Sequence, residues 1–214
     1  MAFGRIFGNN KKKASSGRDA LPITIVSGLP RSGTSMMMKM LDAGGIEPMT
    51  DEVRAADEDN PKGYFEFERV KALDQGDTDW LPEARGKVVK VISALLKYLP
   101  DDYQYKVIFM KRRLEENLQS QKKMLLRRGE DPNKVSDDEL RSMLEAHLKM
   151  VDDWLHRQPN IDLLYVPYHD VIEHPQESIS MLNAFLDHRL NTDRIAEIVD
   201  SSLYRNRAGG SGMK

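Results

Sequence analysis

Ile23-Thr24-Ile25-Val26-Ser27-Gly28-Leu29-Pro30-Arg31-Ser32-Gly33-Thr34-Ser35-Met36-Met37-Met38 joins a β-branched run, a Gly/Pro/Ser turn and an apolar, helix-like segment without interruption. This order predicts strand, tight loop and helix, which together aim backbone N–H groups and a helix N-terminus at an anion. Counted from Gly28 the loop reads G-x-x-x-x-G-T-S, the spacing of a nucleotide-binding P-loop with Thr34 standing where the lysine belongs. The cation of this loop is instead Arg31, three positions earlier than that lysine.

Around this core the pattern predicts a strand over Ile23–Val26 and a helix from about Gly33 to Asp42, stopped by Gly44-Gly45. Met36, Met37, Met38, Met40 and Leu41 make that helix apolar nearly all round, as expected for one buried against a sheet. An acidic loop then leads through Pro61 and Gly63 to a helix entered at Tyr64-Phe65-Glu66 and carrying Val70, Ala72 and Leu73. A turn-rich stretch, Gly76 to Gly86, precedes a strand at Val88-Val89-Lys90-Val91-Ile92.

Val107–Met110 reads as a strand buried on both faces, running into Lys111-Arg112-Arg113 and a helix with Leu114, Leu118, Met124 and Leu125. Ser136-Asp137-Asp138-Glu139 is a capping-box start for a long helix whose buried face is Leu140, Leu144, Leu148, Val151 and Leu155. Leu163–Val166 predicts a fourth strand, followed by helices near Gln176–Leu186 and Asp193–Val199. Alternating strands and helices predict an α/β fold, three-layer and P-loop-like, with a mostly parallel central sheet and ligands at the C-terminal edge of its strands. Residues 1–19 are expected to be a disordered basic tail, 20–207 a single domain and 208–214 a flexible tail.

Bulk properties narrow the function. Across 214 residues, 31% are charged yet the net charge is −2, so no global basic field suggests a nucleic-acid partner. Absence of cysteine excludes disulfides and thiolate chemistry. No apolar run reaches the ~18 residues that span a bilayer, and the first twenty residues lack the apolar core of a secretory signal. Phe3, Ile6 and Phe7 beside Lys11-Lys12-Lys13 offer only one weak membrane signal, too little for stable anchoring. A cytoplasmic protein without stable membrane insertion is expected. The five histidines show no metal spacing, and His169 and His174 read as loop residues.

Two basic features fall at strand C-termini, Arg31 and Lys111-Arg112-Arg113, and so at one edge of the sheet. They suit a ligand with two separated anionic groups, one held by loop amides and the other by an arginine fork. At these residues the sequence resembles the sulfotransferases that use 3′-phosphoadenosine 5′-phosphosulfate (PAPS). Their 5′-phosphosulfate loop reads Pro-Lys/Arg-Ser-Gly-Thr-Thr/Ser after a strand, and Pro30-Arg31-Ser32-Gly33-Thr34-Ser35 matches it throughout. Their 3′-phosphate element is a strand ending in arginine with a serine eight positions on; Arg112 and Ser120 have that spacing. Asn60-Pro61-Lys62-Gly63-Tyr64-Phe65-Glu66 is similar to a segment of small bacterial-type members.

The resemblance implies that Arg31, Ser32, Gly33, Thr34 and Ser35 hold the 5′-phosphosulfate and that Arg112 and Ser120 hold the 3′-phosphate, with Arg205 and Arg207 closing over it. It implies sulfuryl transfer to a small-molecule or glycan acceptor by in-line displacement, with PAPS as co-substrate and no required metal. Arg31 would neutralise charge on the bridging oxygen, beside donors that need no reorganisation. Cytosolic members take their base from a histidine after a Lys-Thr-His strand motif, which Lys90-Val91-Ile92 lacks; other branches use a glutamate after the first helix. Glu66 is the first candidate base, with Glu68, Asp51 and Glu52 in reserve. Arg113 is the alternative to Arg112, and Ser120 also reads as a plain helix-surface serine. Residues 46–86 and the helix at 137–157 are expected to wall the acceptor cleft, without a signature for its class. Rival readings are a P-loop kinase or NTPase and a non-catalytic nucleotide- or glycan-binding module. The first should carry the loop lysine and a strand-end aspartate for magnesium.

Overall fold

Six consecutive buried residues, Ile23–Gly28, form β1, which runs two residues past its β-branched core because Ser27 and Gly28 stay in register with Phe109 and Met110 of the next strand. The computed structural model of the chain describes residues 21–51, 65–127, 129–132 and 134–199. After β1 and its loop, Thr34–Ala43 forms helix α1. Gly33, expected inside the helix, is instead its N-cap, with a left-handed φ of 98°.

Glu68–Gln75 is a 3₁₀ helix rather than the expected α-helix. Its buried residues, Val70 and Leu73, lie three apart, and a three-residue period stacks them on one side. The turn-rich stretch contains a single helical turn, α2 (Leu81–Ala84). Strand β2 is only Val88–Lys90, although the Val91 N–H still donates to the Val26 carbonyl at 3.0 Å. The chain then turns into a second 3₁₀ helix, Ser93–Tyr98, that apolar patterning does not announce.

β3 (Tyr105–Lys111) leads into α3 (Leu114–Arg127). The long α4 (Asp137–Leu155) begins as predicted, with the Glu139 N–H donating to the Ser136 hydroxyl. Of its expected buried face only Leu155 is fully buried; Leu140, Leu144, Leu148 and Val151 are half-buried. β4 (Ile161–Pro167), α5 (Tyr168–Glu173), α6 (Pro175–Phe185) and α7 (Thr192–Ala196) complete the described chain. His169 lies in α5 and His174 bounds it, so this segment is helical rather than the expected loop.

All four strands are parallel, in the order β2-β1-β3-β4. Alternate residues of β3 serve two cores. Ile108 and Met110 pack with the methionines of α1 and with α5, α6 and α7, while Tyr105, Val107 and Phe109 pack with Trp80, Leu81, Leu96 and Leu155. Burial on both faces explains why this strand reads as a continuous apolar run. The result is an α/β fold, a parallel sheet flanked by helices on both sides. Among the described residues no helix is long and apolar enough to cross a membrane.

Candidate functional site

The loop after β1 owes its shape to close contacts. Gly28 has φ 148°, and a Cβ there would stand 2.5 Å from the Ser32 hydroxyl and 2.7 Å from the Met110 carbonyl. Gly33 packs against the Tyr168 ring, where a Cβ would fall 2.3 Å from a ring carbon. Arg31 is left-handed with φ 70°, a conformation that costs a non-glycine residue ~1 kcal/mol. The N-cap Gly33 offers α1 no side-chain cap, and the Ser32 hydroxyl, in a residue 1% exposed, has no hydrogen-bond partner among the described residues. An uncapped helix N-terminus beside an orphaned buried hydroxyl fits an anionic group.

The two basic features predicted at one sheet edge are in direct contact. Arg31 Nε donates to the Ser120 hydroxyl at 3.0 Å, and Arg112 Nη1 donates back to the Arg31 carbonyl at 3.0 Å. Ser120 is buried, not a surface serine. The Arg112 side chain is 8% exposed, whereas its neighbour Arg113 is exposed. The Arg112 guanidinium also lies 4.6 Å from the Tyr168 ring centroid and 3.2 Å from the Glu116 carboxylate, whose side chain is 1% exposed. Asn117, also buried, donates to the Pro30 carbonyl at 2.8 Å and accepts from Gln121 at 2.8 Å. Thus two side chains of α3, Asn117 and Ser120, and Arg112 just before it tie down the loop.

Glu116 changes the electrostatics expected from the sequence. It compensates the arginine, so a phosphate at Arg112 would meet a neutral ion pair instead of a bare cation. The residues therefore fit a 5′-anion at the loop directly, whereas a second phosphate would meet a guanidinium already engaged through Nε by Glu116 and through Nη1 by the Arg31 carbonyl. The four-residue spacing between Arg112, just before α3, and Glu116 in its first turn was the one local signal of this pairing. Tyr168 had none, because it reaches the loop across the sheet edge.

The carboxylate candidates separate by their partners. Glu68 pairs with Lys71 at the exposed surface, and Asp51 accepts the Glu68 N–H at 2.6 Å. Glu66 sits at the end of β2, its carboxylate 3.8 Å from Lys90 Nζ with the two side chains 23% and 11% exposed. The Thr50 hydroxyl holds the Glu66 carbonyl at 2.8 Å, and Phe65 before it takes a left-handed φ of 49°. Glu52, Asn60–Tyr64, Arg205 and Arg207 lie outside the described residues.

Two features were missed. The Ser93 hydroxyl and His147 Nε2 are 2.9 Å apart beyond β2, where burial and then Lys97 hold the imidazole below its usual pKa. On the same face, a cleft of about 350 Å³ opens between α4 and the ends of β3 and β4, with Leu29, Ser32 and Arg112 in its lining. Inside it the Tyr165 hydroxyl donates to Asp152, and burial first, that hydrogen bond second, push the phenol well above its usual pKa. No group of three or more potential metal-ligating side chains occurs among the described residues.

No family model matches the chain, and no curated protein matches it. Among solved structures it is similar to sulfotransferase STF9 from Mycobacterium avium, with 14% identity over 88% of this chain and 69% of that one and a TM-score of 0.49. A sulfotransferase from Alicyclobacillus acidocaldarius gives 15% identity over 81% and 83% of the two chains, with a TM-score of 0.48. The sulfotransferase domain from the curacin biosynthetic pathway gives 14% identity over 88% and 92%, with a TM-score of 0.46. All three are sulfotransferases.

Proposed function

We propose that the chain is a cytoplasmic sulfotransferase that moves a sulfuryl group from PAPS to the hydroxyl or amine of a small-molecule or glycan acceptor. The observation that carries this reading is the Arg31–Ser120 hydrogen bond, together with the return contact from Arg112 to the Arg31 carbonyl. It brings the loop cation and the spaced Arg/Ser pair together, within reach of one ligand with two separated anionic groups.

Bound PAPS would supply an activated sulfuryl group. Ser32, Gly33, Thr34 and Ser35 hold the 5′ end through the loop and the start of α1, and Arg31 offsets negative charge there. Arg112 and Ser120 receive the 3′-phosphate, with Arg205 as a further donor. Glu66 takes the acceptor proton, beside the ammonium of Lys90. The S–O bond to the nucleotide breaks as the bond to the acceptor oxygen or nitrogen forms, leaving adenosine 3′,5′-bisphosphate and a sulfated product.

Adenosine 3′,5′-bisphosphate is expected to raise the melting temperature in the presence of a chelator, and ATP with magnesium is not; the reverse pattern would refute the reading in favour of an NTPase. With radiolabelled donor, Glu66→Gln should lower turnover at least a hundredfold while bisphosphate binding stays within twofold. Unchanged turnover removes Glu66 from the mechanism.

A further inference from the structure

The cleft beneath α4 has a composition that narrows its ligand. Phe109 and Tyr165 meet edge to face at 5.8 Å and form the floor. Leu148, Val151 and Leu155 of α4 form the wall, and Leu29 closes the loop end. About 350 Å³ is the lower end of the range for small-molecule sites. Sugar hydroxyls against this wall would lose water without gaining partners, a penalty for each one buried. An aromatic or short alkyl group meets no such penalty.

Polar groups share this lining. Lys111 and Lys149 both line the cleft, are exposed, and form no ion pair among the described residues. Lys111 Nζ is 3.5 Å from the Tyr165 ring centroid, so its charge is held over the floor. The carboxylate in the lining, Asp152, accepts the Tyr165 hydroxyl and lies 3.7 Å from the His156 ring. Lys111 and Lys149, with Arg112 already paired to Glu116, outnumber the one committed carboxylate and leave the lining positive. Glu66 stands on the other flank of β1, with β2 and β3 two strand spacings (about 10 Å) apart. A reacting hydroxyl must therefore be presented at the loop end, beside Ser32, with the opposite end of the ligand toward the lysines.

Building on the sulfotransferase reading, we propose that this cleft is the acceptor site, and that the acceptor is a compact, largely apolar hydroxyl compound with an anionic substituent that meets Lys111 and Lys149. Three probes test it by saturation-transfer NMR and calorimetry without nucleotide: 4-hydroxyphenylacetate, its neutral analogue 4-ethylphenol, and a disaccharide. The wild type should bind 4-hydroxyphenylacetate at least fivefold tighter than 4-ethylphenol, and the disaccharide not measurably. Lys149→Glu should abolish the preference between the two phenols. Val151→Trp, which fills the cleft, should lose both phenols while keeping adenosine 3′,5′-bisphosphate affinity within twofold. Leu148→Phe is the milder filling variant should Val151→Trp not fold. Phenol binding that survives both filling variants, a preference for the disaccharide, or loss of the bisphosphate in place of the phenols would overturn the assignment. Because the phenols are read without nucleotide, a wild type that binds them but ignores the bisphosphate refutes the transfer reading separately and supports the ligand class of the cleft.

Discussion

Replacing Glu116 by glutamine should push stability and ligand affinity in opposite directions. The carboxylate is 3.2 Å from Arg112 Nε, and the two side chains are 1% and 8% exposed. At an effective dielectric of 20, unit charges at that separation attract by about 5 kcal/mol, most of it offset by the cost of desolvating both. Removing one partner loses the attraction and leaves the other's desolvation in place, typically costing about 3–5 kcal/mol. Arg112 keeps the Arg31 carbonyl and the Tyr168 ring, so the lower end, about 3 kcal/mol, is expected. For a chain of this size that is roughly a 6–12 °C fall in melting temperature. The same change frees the guanidinium, so adenosine 3′,5′-bisphosphate should bind five- to tenfold tighter, about 1 kcal/mol or slightly more. Urea unfolding and calorimetric titration measure the two effects. Glu115→Gln is the control: that carboxylate bridges to Arg141 at the surface, and its loss should cost at most about 1 kcal/mol. If Glu116→Gln is as stable as the wild type, the buried pair is not holding the loop. If affinity falls or stays level, Arg112 does not face the phosphate.

Asn117→Ala leaves the Pro30 carbonyl and the Gln121 amide without their partner, and should cost about 1–3 kcal/mol in urea unfolding; a neutral result would mean that the loop is not tied to α3. Arg31→Gly should be more stable than Arg31→Ala by ~1 kcal/mol, because only glycine takes φ 70° freely, while both variants lose bisphosphate binding. Equal stability would argue against the left-handed backbone. His147 has a lowered pKa in the fold, so protonation favours unfolding: its contribution is present above about pH 6.5 and is lost as pH falls through the folded-state value. Melting curves of His147→Gln, which can still meet the Ser93 hydroxyl, should fall less than wild type between pH 7 and 5; parallel curves would assign the acid sensitivity elsewhere.

Much of the fold was legible locally. β-Branched runs marked the four strands, and the Gly/Pro/Ser turn with its methionine-rich sequel marked the loop and α1. Where prediction failed, the local signal was weak or shared. Val70 and Leu73 suit a 3₁₀ period as well as an α period over so short a stretch. Ile92 carried strand propensity beyond β2, yet it is half-exposed and the chain folds away to place Leu96 in the core. The half-buried face of α4 looked like any amphipathic stripe; part of it lines a cleft rather than filling a core.

Sequence alone determined that a Gly/Pro/Ser loop follows the first strand, that its cation is an arginine, and that a second arginine and a serine lie eight positions apart after the third strand. These are short-range facts, set by residue type and spacing. Only the tertiary structure brought Arg31 onto Ser120, 89 residues away, and Arg112 onto the Arg31 carbonyl, 81 away. It also buried Glu116 against that arginine and opened the cleft under α4. Such contacts depend on strand order and on which helix covers which face, and spacing along the chain encodes neither.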